Sequence, residues 1–109
     1  MPEKNAIILT TYPSKEDCEK IAKTLLNDKL AACIQIQGPI TSHYTWEGQL
    51  ETAKEYQVQV KTRKILYQKI EKKILETHPY DCPEILLIPI QSGHRNYLTW
   101  IEKETEQAL

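Results

Sequence analysis

Three prolines within residues 77–90 restrict the fold of this 109-residue chain more than any other sequence feature. Pro79 disfavours helical geometry at His78, so the helix that precedes it is expected to end there. The apolar run at residues 84–88 is typical of a strand buried on both faces. Pro89 has no N–H to donate to a sheet, which predicts an edge strand or a bulge at this position.

Residues 6–10 form a short apolar segment that predicts the first strand, and Ser14 is placed to cap the helix that follows. Acidic side chains in the first turn of this helix favour its dipole. Apolar residues then recur at helical spacing and predict its buried stripe: Cys18, Ile21, Ala22, Leu25 and Leu26. Within this stripe, Cys18 is interpreted as a small buried hydrophobe rather than a reactive thiol.

A long hairpin is predicted in the middle of the chain. Its first arm covers residues 30–36, is bent or bulged at Gly38-Pro39 and resumes through residues 40–46. Glu47-Gly48 forms the turn. The second arm alternates, with one face formed by Tyr56, Val58 and Val60 and a face exposed to water or to a partner formed by Glu55, Gln57, Gln59 and Lys61.

The rest of the chain predicts a helix, the proline-bounded strand and a C-terminal helix. The first of these helices begins at Thr62 or Arg63, and Asn96 is placed to cap the last one. The order strand, helix, strand, strand, helix, strand, helix is typical of a ferredoxin-like split β-α-β fold. We therefore predict one α+β domain, residues 1–109, with an extended hairpin and both main helices on one face of the sheet.

The hairpin is longer than the helices that are expected to cover it. A helix of about 14 residues spans about 21 Å, whereas a strand of about 14 residues spans about 46 Å. The hairpin therefore extends about 20 Å beyond its cover and carries His43, Tyr44 and Trp46 at its far end. Because an isolated two-stranded ribbon is only marginally stable in water, we expect it to lie on another subunit.

Composition narrows the classes of function. A net charge of −1, from 14 basic and 15 acidic residues, gives no electrostatic footprint for nucleic acid or an anionic membrane. No apolar run approaches the roughly 20 residues of a membrane-spanning helix, and the N-terminal residues show no apolar core of a secretory signal. Three cysteines without C-x-x-C spacing favour a reduced, cytoplasmic protein.

The sequence shows no recognisable catalytic constellation. No nucleophile follows or precedes an evident base, and no Gly-rich phosphate loop is present, so we predict no enzyme. An RNA-binding module of this fold stacks bases on sheet aromatics, but the first strand has none and the third offers only Tyr56. A copper chaperone of this fold needs two cysteines after the first strand, where residues 10–13 are Thr-Thr-Tyr-Pro.

Histidine and arginine side chains supply the remaining site candidates. Each histidine, taken alone, is explained better as a structural or solvated residue than as a metal ligand. His78 is the best ligand candidate, because Pro79 fixes the backbone beside it and Glu84 follows closely. His94 and Arg95 precede a helix N-terminus, where they either hold an anion or belong to an ordinary polar loop.

Several motifs, in order along nearly the whole chain, match one family. They are Leu30-Ala31-Ala32-Cys33, Thr41-Ser42 with Tyr44-x-Trp46-x-Gly48, Lys61-Thr62, His78-Pro79-Tyr80-x-x-Pro83-Glu84, Pro89-Ile90 and Tyr97-Leu98-x-Trp100. On these residues the chain resembles CutA, the divalent-cation tolerance proteins. The resemblance implies a ferredoxin-like homotrimer assembled through its long strands, a link to copper and other divalent ions, and no firmly assigned reaction.

The resemblance also implies a metal site. Bacterial members of the family have a cysteine where this chain has Thr10 and a His-His pair where it has Thr77-His78. The ligands implied here are therefore His78, then Cys33, with help from Glu84. Copper or another divalent cation is expected to bind weakly, and no cofactor is obligatory.

Two hypotheses about function follow from the resemblance. The first is a metal-tolerance or metal-response protein. The second, from the likeness of the family's trimer to PII signalling proteins, is a signalling or scaffold module that binds a small ligand or an unidentified protein partner between subunits. The predicted cleft residues are Tyr80, His94 and Arg95, and the predicted interface residues are His43, Tyr44 and Trp46.

Overall fold

The computed structural model describes residues 3–108, which form strands and helices in the predicted order. Their bounds are β1 Asn5–Tyr12, α1 Lys15–Asn27, β2 Cys33–Trp46, β3 Gln49–Arg63, α2 Tyr67–Thr77, β4 Ile85–Pro89 and α3 Arg95–Glu104, with short 3-10 turns at Lys64–Leu66 and Glu106–Ala108. The sheet has the order β2-β3-β1-β4 with antiparallel neighbours, which confirms the α+β, ferredoxin-like prediction. None of the helices described is both long and apolar enough to cross a membrane.

One face of the sheet packs against α1 and α2 and forms the core. Alternate residues of β1 and β3 point to this face and are fully buried: Ala6, Ile8, Thr10, Tyr12, Val58 and Val60. From α1, the core takes Cys18, Ile21 and Leu25, as the helical spacing predicts. The predicted stripe is wrong at Leu26, which is 39% exposed because it lies at the edge of the apolar face.

The capping prediction holds for α1 and fails for α3. Ser14 Oγ accepts a 3.1 Å hydrogen bond from the Asp17 N–H, as expected of an N-cap. Helix α3 begins at Arg95, so Asn96 lies inside its first turn and His94 occupies the cap position. The reason is that the His94 carbonyl accepts the Leu98 N–H at 3.0 Å, which closes the first turn ahead of Asn96.

The two arms of the hairpin have different bounds from those predicted. Strand β2 begins at Cys33 rather than at residue 30, because Leu30 first closes the end of α1 by donating its N–H to the Leu25 carbonyl at 2.9 Å. Strand β3 continues through Arg63, which pairs with Asn5, so the next helical segment begins after it.

The bulge at Gly38-Pro39 and the turn at Glu47-Gly48 are confirmed. The pairing register shifts between Gln37 and Ile40. A Cβ on Gly38 would lie 2.7 Å from the Tyr56 ring and 3.1 Å from the Glu55 carbonyl oxygen, so glycine is required at this bulge between β2 and β3. At the tip, Glu47 and Gly48 have φ values of 50° and 79°, typical of a tight hairpin turn.

The outer half of the hairpin projects beyond the rest of the sheet, as predicted. Strand β1 stops pairing with β3 at Tyr56, whereas β2 and β3 remain paired as far as Trp46 and Gln49. Residues 49–55 of β3 therefore pair with β2 alone, over a length of about 23 Å. We call residues 40–55 the ribbon.

The second face of the sheet is only partly covered, by α3 at one end. Asn5 Nδ2 donates to the Leu98 carbonyl at 3.3 Å, which places α3 beside the start of β1. On β4, Leu86 and Ile88 are 52% and 45% exposed. The edge strand predicted from Pro89 is confirmed, since β4 pairs with β1 at the edge of the sheet; its predicted burial on both faces is wrong, because Leu86 and Ile88 point to the uncovered face.

Candidate functional site

A cleft of about 530 Å³ opens beside the ribbon. It lies between the ribbon, the end of β1 and the loop that joins α2 to β4. Its lining is mainly aromatic and acidic, and includes Tyr44, Trp46, Tyr80, Glu55, Asp81 and Glu84. The cleft therefore combines residues that the sequence assigned separately to a ligand site, a metal site and a subunit interface.

Glu55 is the buried acid of this cleft, with only 7% of its surface exposed. Its Oε2 accepts a hydrogen bond of 2.9 Å from the Tyr80 hydroxyl and one of 3.4 Å from the Thr11 hydroxyl. Strand alternation correctly predicts that Glu55 lies on the same face of the sheet as Gln57 and Gln59. It also predicts that the Glu55 side chain is exposed to water or to a partner. That prediction is wrong within this chain, because Tyr80 returns from a later loop and covers the carboxylate.

The Tyr80 phenol remains a hydrogen-bond donor at neutral pH. Burial raises the pKa of Tyr80 to about 12, and its hydrogen bond to the Glu55 carboxylate adds to the shift. Glu55 makes no ion pair with any residue in the range 3–108, where the ion pairs involve other carboxylates. Its carboxylate is thus held in place by two neutral hydroxyl groups.

His78 fixes the loop that carries Tyr80. Its Nε2 lies 2.7 Å from the Thr11 carbonyl oxygen, and its Nδ1 accepts the Tyr80 N–H at 3.1 Å. The neutral tautomer with hydrogen on Nε2 satisfies both contacts. The ring also stacks on Tyr12, with centroids 4.2 Å apart. Both ring nitrogens are therefore occupied, and a metal ion must displace one of these hydrogen bonds to bind His78.

The structure does not bring the three predicted metal ligands together. Cys33 is half-buried and lies on the same rung of the sheet as Ile7, about 13 Å along β1 from Thr11, where His78 binds. Glu84 is exposed and lines the cleft. In the part of the chain that the structure describes, no group of three His, Cys, Asp or Glu side chains is placed to hold a metal ion.

The other predicted site residues divide between the cleft and the end of the molecule near α3. His43, Tyr44, Trp46 and Tyr80 all line the cleft. By contrast, His94 and Arg95 are exposed at the start of α3 and are not part of its lining. Sequence reasoning missed Thr11 and Glu55 as site residues, because nothing in their local sequence shows that Tyr80 will reach them.

The fold and this cleft define a ferredoxin-like protein with a projecting ribbon and, beside the ribbon, a cleft lined by aromatic and acidic side chains. The model of the family described as the CutA1 divalent ion tolerance protein matches residues 6–104. The chain therefore belongs to the CutA1 family of divalent ion tolerance proteins.

Three relatives match this chain along almost their whole length. The divalent-cation tolerance protein CutA of Thermus thermophilus is 38% identical over 99 residues, which cover 91% of this chain and 96% of the relative. The crystal structure of CutA1 from Shewanella sp. SIB1 is similar with a TM-score of 0.92, at 33% identity over 96% of this chain and 98% of that one. The Archaeoglobus fulgidus CutA structure, described as periplasmic, has a TM-score of 0.89 at 40% identity over 93% of this chain and 98% of that one.

Proposed function

We propose that this protein is a homotrimeric divalent-metal tolerance or response protein of the cytoplasm. In this proposal it binds copper or another divalent cation weakly and catalyses no reaction. Membership of the CutA1 family supports the metal response. The observation that supports assembly into a trimer is the ribbon, which extends beyond the sheet and exposes large apolar side chains.

The ribbon supports assembly because its side chains have no cover within one described chain. Tyr44, Trp46 and Leu50 are 44%, 49% and 89% exposed. Burial of aromatic and leucine side chains on a second subunit stabilises a ribbon that is marginal alone. Mass photometry of the purified protein tests this: the expected particle has three times the 12.7 kDa mass of one chain. A folded particle of one chain at micromolar concentration contradicts the trimer.

Weak metal binding is supported because, among the described residues, no three His, Cys, Asp or Glu side chains are placed to hold a metal ion together. His78 has both nitrogens engaged, whereas His43, Cys82 and Glu84 lie around one cleft. We propose that the cleft side chains, with His43 as the imidazole ligand, bind the metal in preference to His78. Imidazole suits Cu(II), but too few ligands are arranged in advance for tight binding.

Calorimetric titration with Cu(II) at pH 7.5 and pH 5.5 tests the metal proposal. A micromolar or weaker affinity is expected at pH 7.5, and it should be weaker at pH 5.5, because protons compete with the metal ion for its ligands. His43→Ala should weaken binding and His78→Ala should not. If only His78→Ala loses binding, His78 is the metal ligand. If both variants bind Cu(II) with nanomolar affinity, the cleft is not the metal site.

A second candidate function is favoured by the same cleft. In this alternative, the protein is a PII-like trimeric signalling or scaffold module, and a small ligand or a partner protein binds between subunits. The supporting observation is Glu55, a buried carboxylate at the wall of a cleft of about 530 Å³. A binding screen of small metabolites against the parent and Glu55→Gln tests it, since a cleft ligand must respond to that substitution.

A further inference from the structure

Glu55 is a buried carboxylate whose own chain supplies it with neutral donors. Its side chain is 7% exposed, and its two hydrogen bonds come from the hydroxyls of Tyr80 and Thr11. The ion pairs that residues 3–108 form lie in the helical layer instead. A buried charge is costly unless it is paired, and hydroxyl donors compensate it only in part. The carboxylate therefore calls for a cation from outside the chain.

Lys61 is a cation in the corresponding state on the same face of β3. It is half-buried, and its ammonium group contacts the neutral Gln35 amide oxygen and lies 5.9 Å from the centre of the Tyr97 ring. It makes no ion pair within the described chain. Arg63, next on this face, turns towards α3, where it donates to the Glu102 carbonyl oxygen at 3.5 Å. Lys61 is therefore the unpaired cation in the middle of the sheet.

One copy of the chain cannot pair these two charges with each other. Glu55 and Lys61 are six residues apart on β3, a distance of about 20 Å, whereas an ion pair joins atoms within about 4 Å. The residues between them on this face are neutral: Gln57 and Gln59 are joined by a 3.1 Å hydrogen bond. The face thus has an acidic end, a neutral middle and a basic end.

This arrangement of charges is complementary to a second copy of the same face. Leu86 and Ile88 of β4, 52% and 45% exposed, add apolar surface to the neutral middle, and interface cores are depleted of charged residues. The face also continues into the ribbon, because Glu55 lies at the ribbon's inner end. A contact between two different patches closes into a ring when its rotation allows, and the proposed trimer is such a ring.

We infer that each subunit places the Lys61 ammonium group beside the Glu55 carboxylate of the next subunit. The inference rests on the proposed trimer and names the contact that joins its subunits. The cleft of one chain is then half of a site, which the neighbouring copy completes. In the assembly the carboxylate is paired, and the ribbon beside it is covered.

Charge reversal tests the pair. Lys61→Glu brings two carboxylates together, and Glu55→Lys brings two ammonium groups together. Each should raise at least about tenfold the protein concentration at which half of the particles are assembled. Combining the two substitutions restores opposite charges, so the double variant should assemble more tightly than either single variant. Mass photometry over a dilution series, in a fixed mild urea concentration at which the parent still assembles, measures this.

Matched reversals on α2 provide the controls. Lys72→Glu and Glu76→Lys make the same changes in charge at exposed positions in the helical layer behind the sheet, and should assemble like the parent. If Glu55→Lys does not fold, Glu55→Gln and Lys61→Gln replace the reversals. Paired residues should then lose less affinity in the double variant than the two single losses predict together.

The outcomes separate this inference from the trimer on which it rests. If Lys61→Glu assembles like Lys72→Glu, or if the double reversal assembles no better than the single ones, the pair is refuted while the trimer stands. If the parent is a folded single chain at micromolar concentration, the trimer is refuted and the pair with it.

Discussion

The hydroxyl of Tyr80 donates a 2.9 Å hydrogen bond to the buried Glu55 carboxylate, joining residues 25 positions apart. This bond connects the loop before β4 to the inner end of the ribbon. His78 holds the same loop on the end of β1 through the Thr11 carbonyl. The shape of the cleft therefore depends on two side chains that anchor one loop to two strands.

Tyr80→Phe should destabilise the protein. The substitution removes one of the two hydroxyl donors of a buried carboxylate, a loss of about 1–3 kcal/mol in the free energy of unfolding. Urea denaturation at pH 7 measures it. Tyr97→Phe is the control, since that side chain is 38% exposed, lies outside the cleft lining and should change the same quantity by less than about 0.5 kcal/mol. Equal values for both variants would show that the Glu55 contact contributes no stability.

Tyr44→Ala combined with Trp46→Ala should weaken assembly. Large aromatic side chains at an interface commonly dominate its binding energy, and both of these lie on the ribbon. Sedimentation should show smaller particles for the double variant at concentrations where the parent is fully assembled. Leu75→Ala, which removes a 53% exposed side chain on α2, should assemble like the parent. An unaltered mass for the ribbon variant would place the interface elsewhere.

The three cysteines should react with a thiol reagent at different rates. Cys82 is exposed in the loop before β4 and should be labelled first. Cys33 is half-buried and should follow. Cys18 should be slowest, because burial raises its pKa to about 11 and few thiolates form at neutral pH. Labelling of Cys18 as fast as Cys82 in the native protein would contradict its place in the core.

Stability should fall at high pH, and Tyr12 should account for part of the loss. Burial raises the pKa of Tyr12 from 10.0 to about 12, so the unfolded state ionises first as the pH rises. The stabilising contribution is complete below pH 10 and is lost between pH 10 and about 12. Cys18 acts in the same direction between pH 9 and about 11.

Tyr12→Phe isolates this contribution. The buried Tyr12 hydroxyl has no hydrogen-bond partner among the described residues, so its removal should leave stability at pH 8 unchanged or raise it by about 1 kcal/mol. From pH 10 upward the variant should lose less stability than the parent in urea titrations. Parallel losses in the two proteins would mean that Tyr12 does not ionise in this way.

Most of the chain's topology could be predicted from its sequence because the signals are local. Helical spacing, the Ser14 cap, the Gly38 bulge and the proline-bounded strand each depend on residues within a few positions of one another. Strand length compared with helix length also predicted the projecting ribbon, since both follow from fixed rises per residue.

The candidate site required the tertiary structure because its contacts join distant parts of the chain. His78 appears in the sequence as a free imidazole, but 67 positions separate it from Thr11, whose carbonyl occupies its Nε2. Glu55 appears as an exposed strand residue until Tyr80 covers it. Strand alternation determined the face to which Glu55 points, and packing of a remote loop decided whether water reaches it.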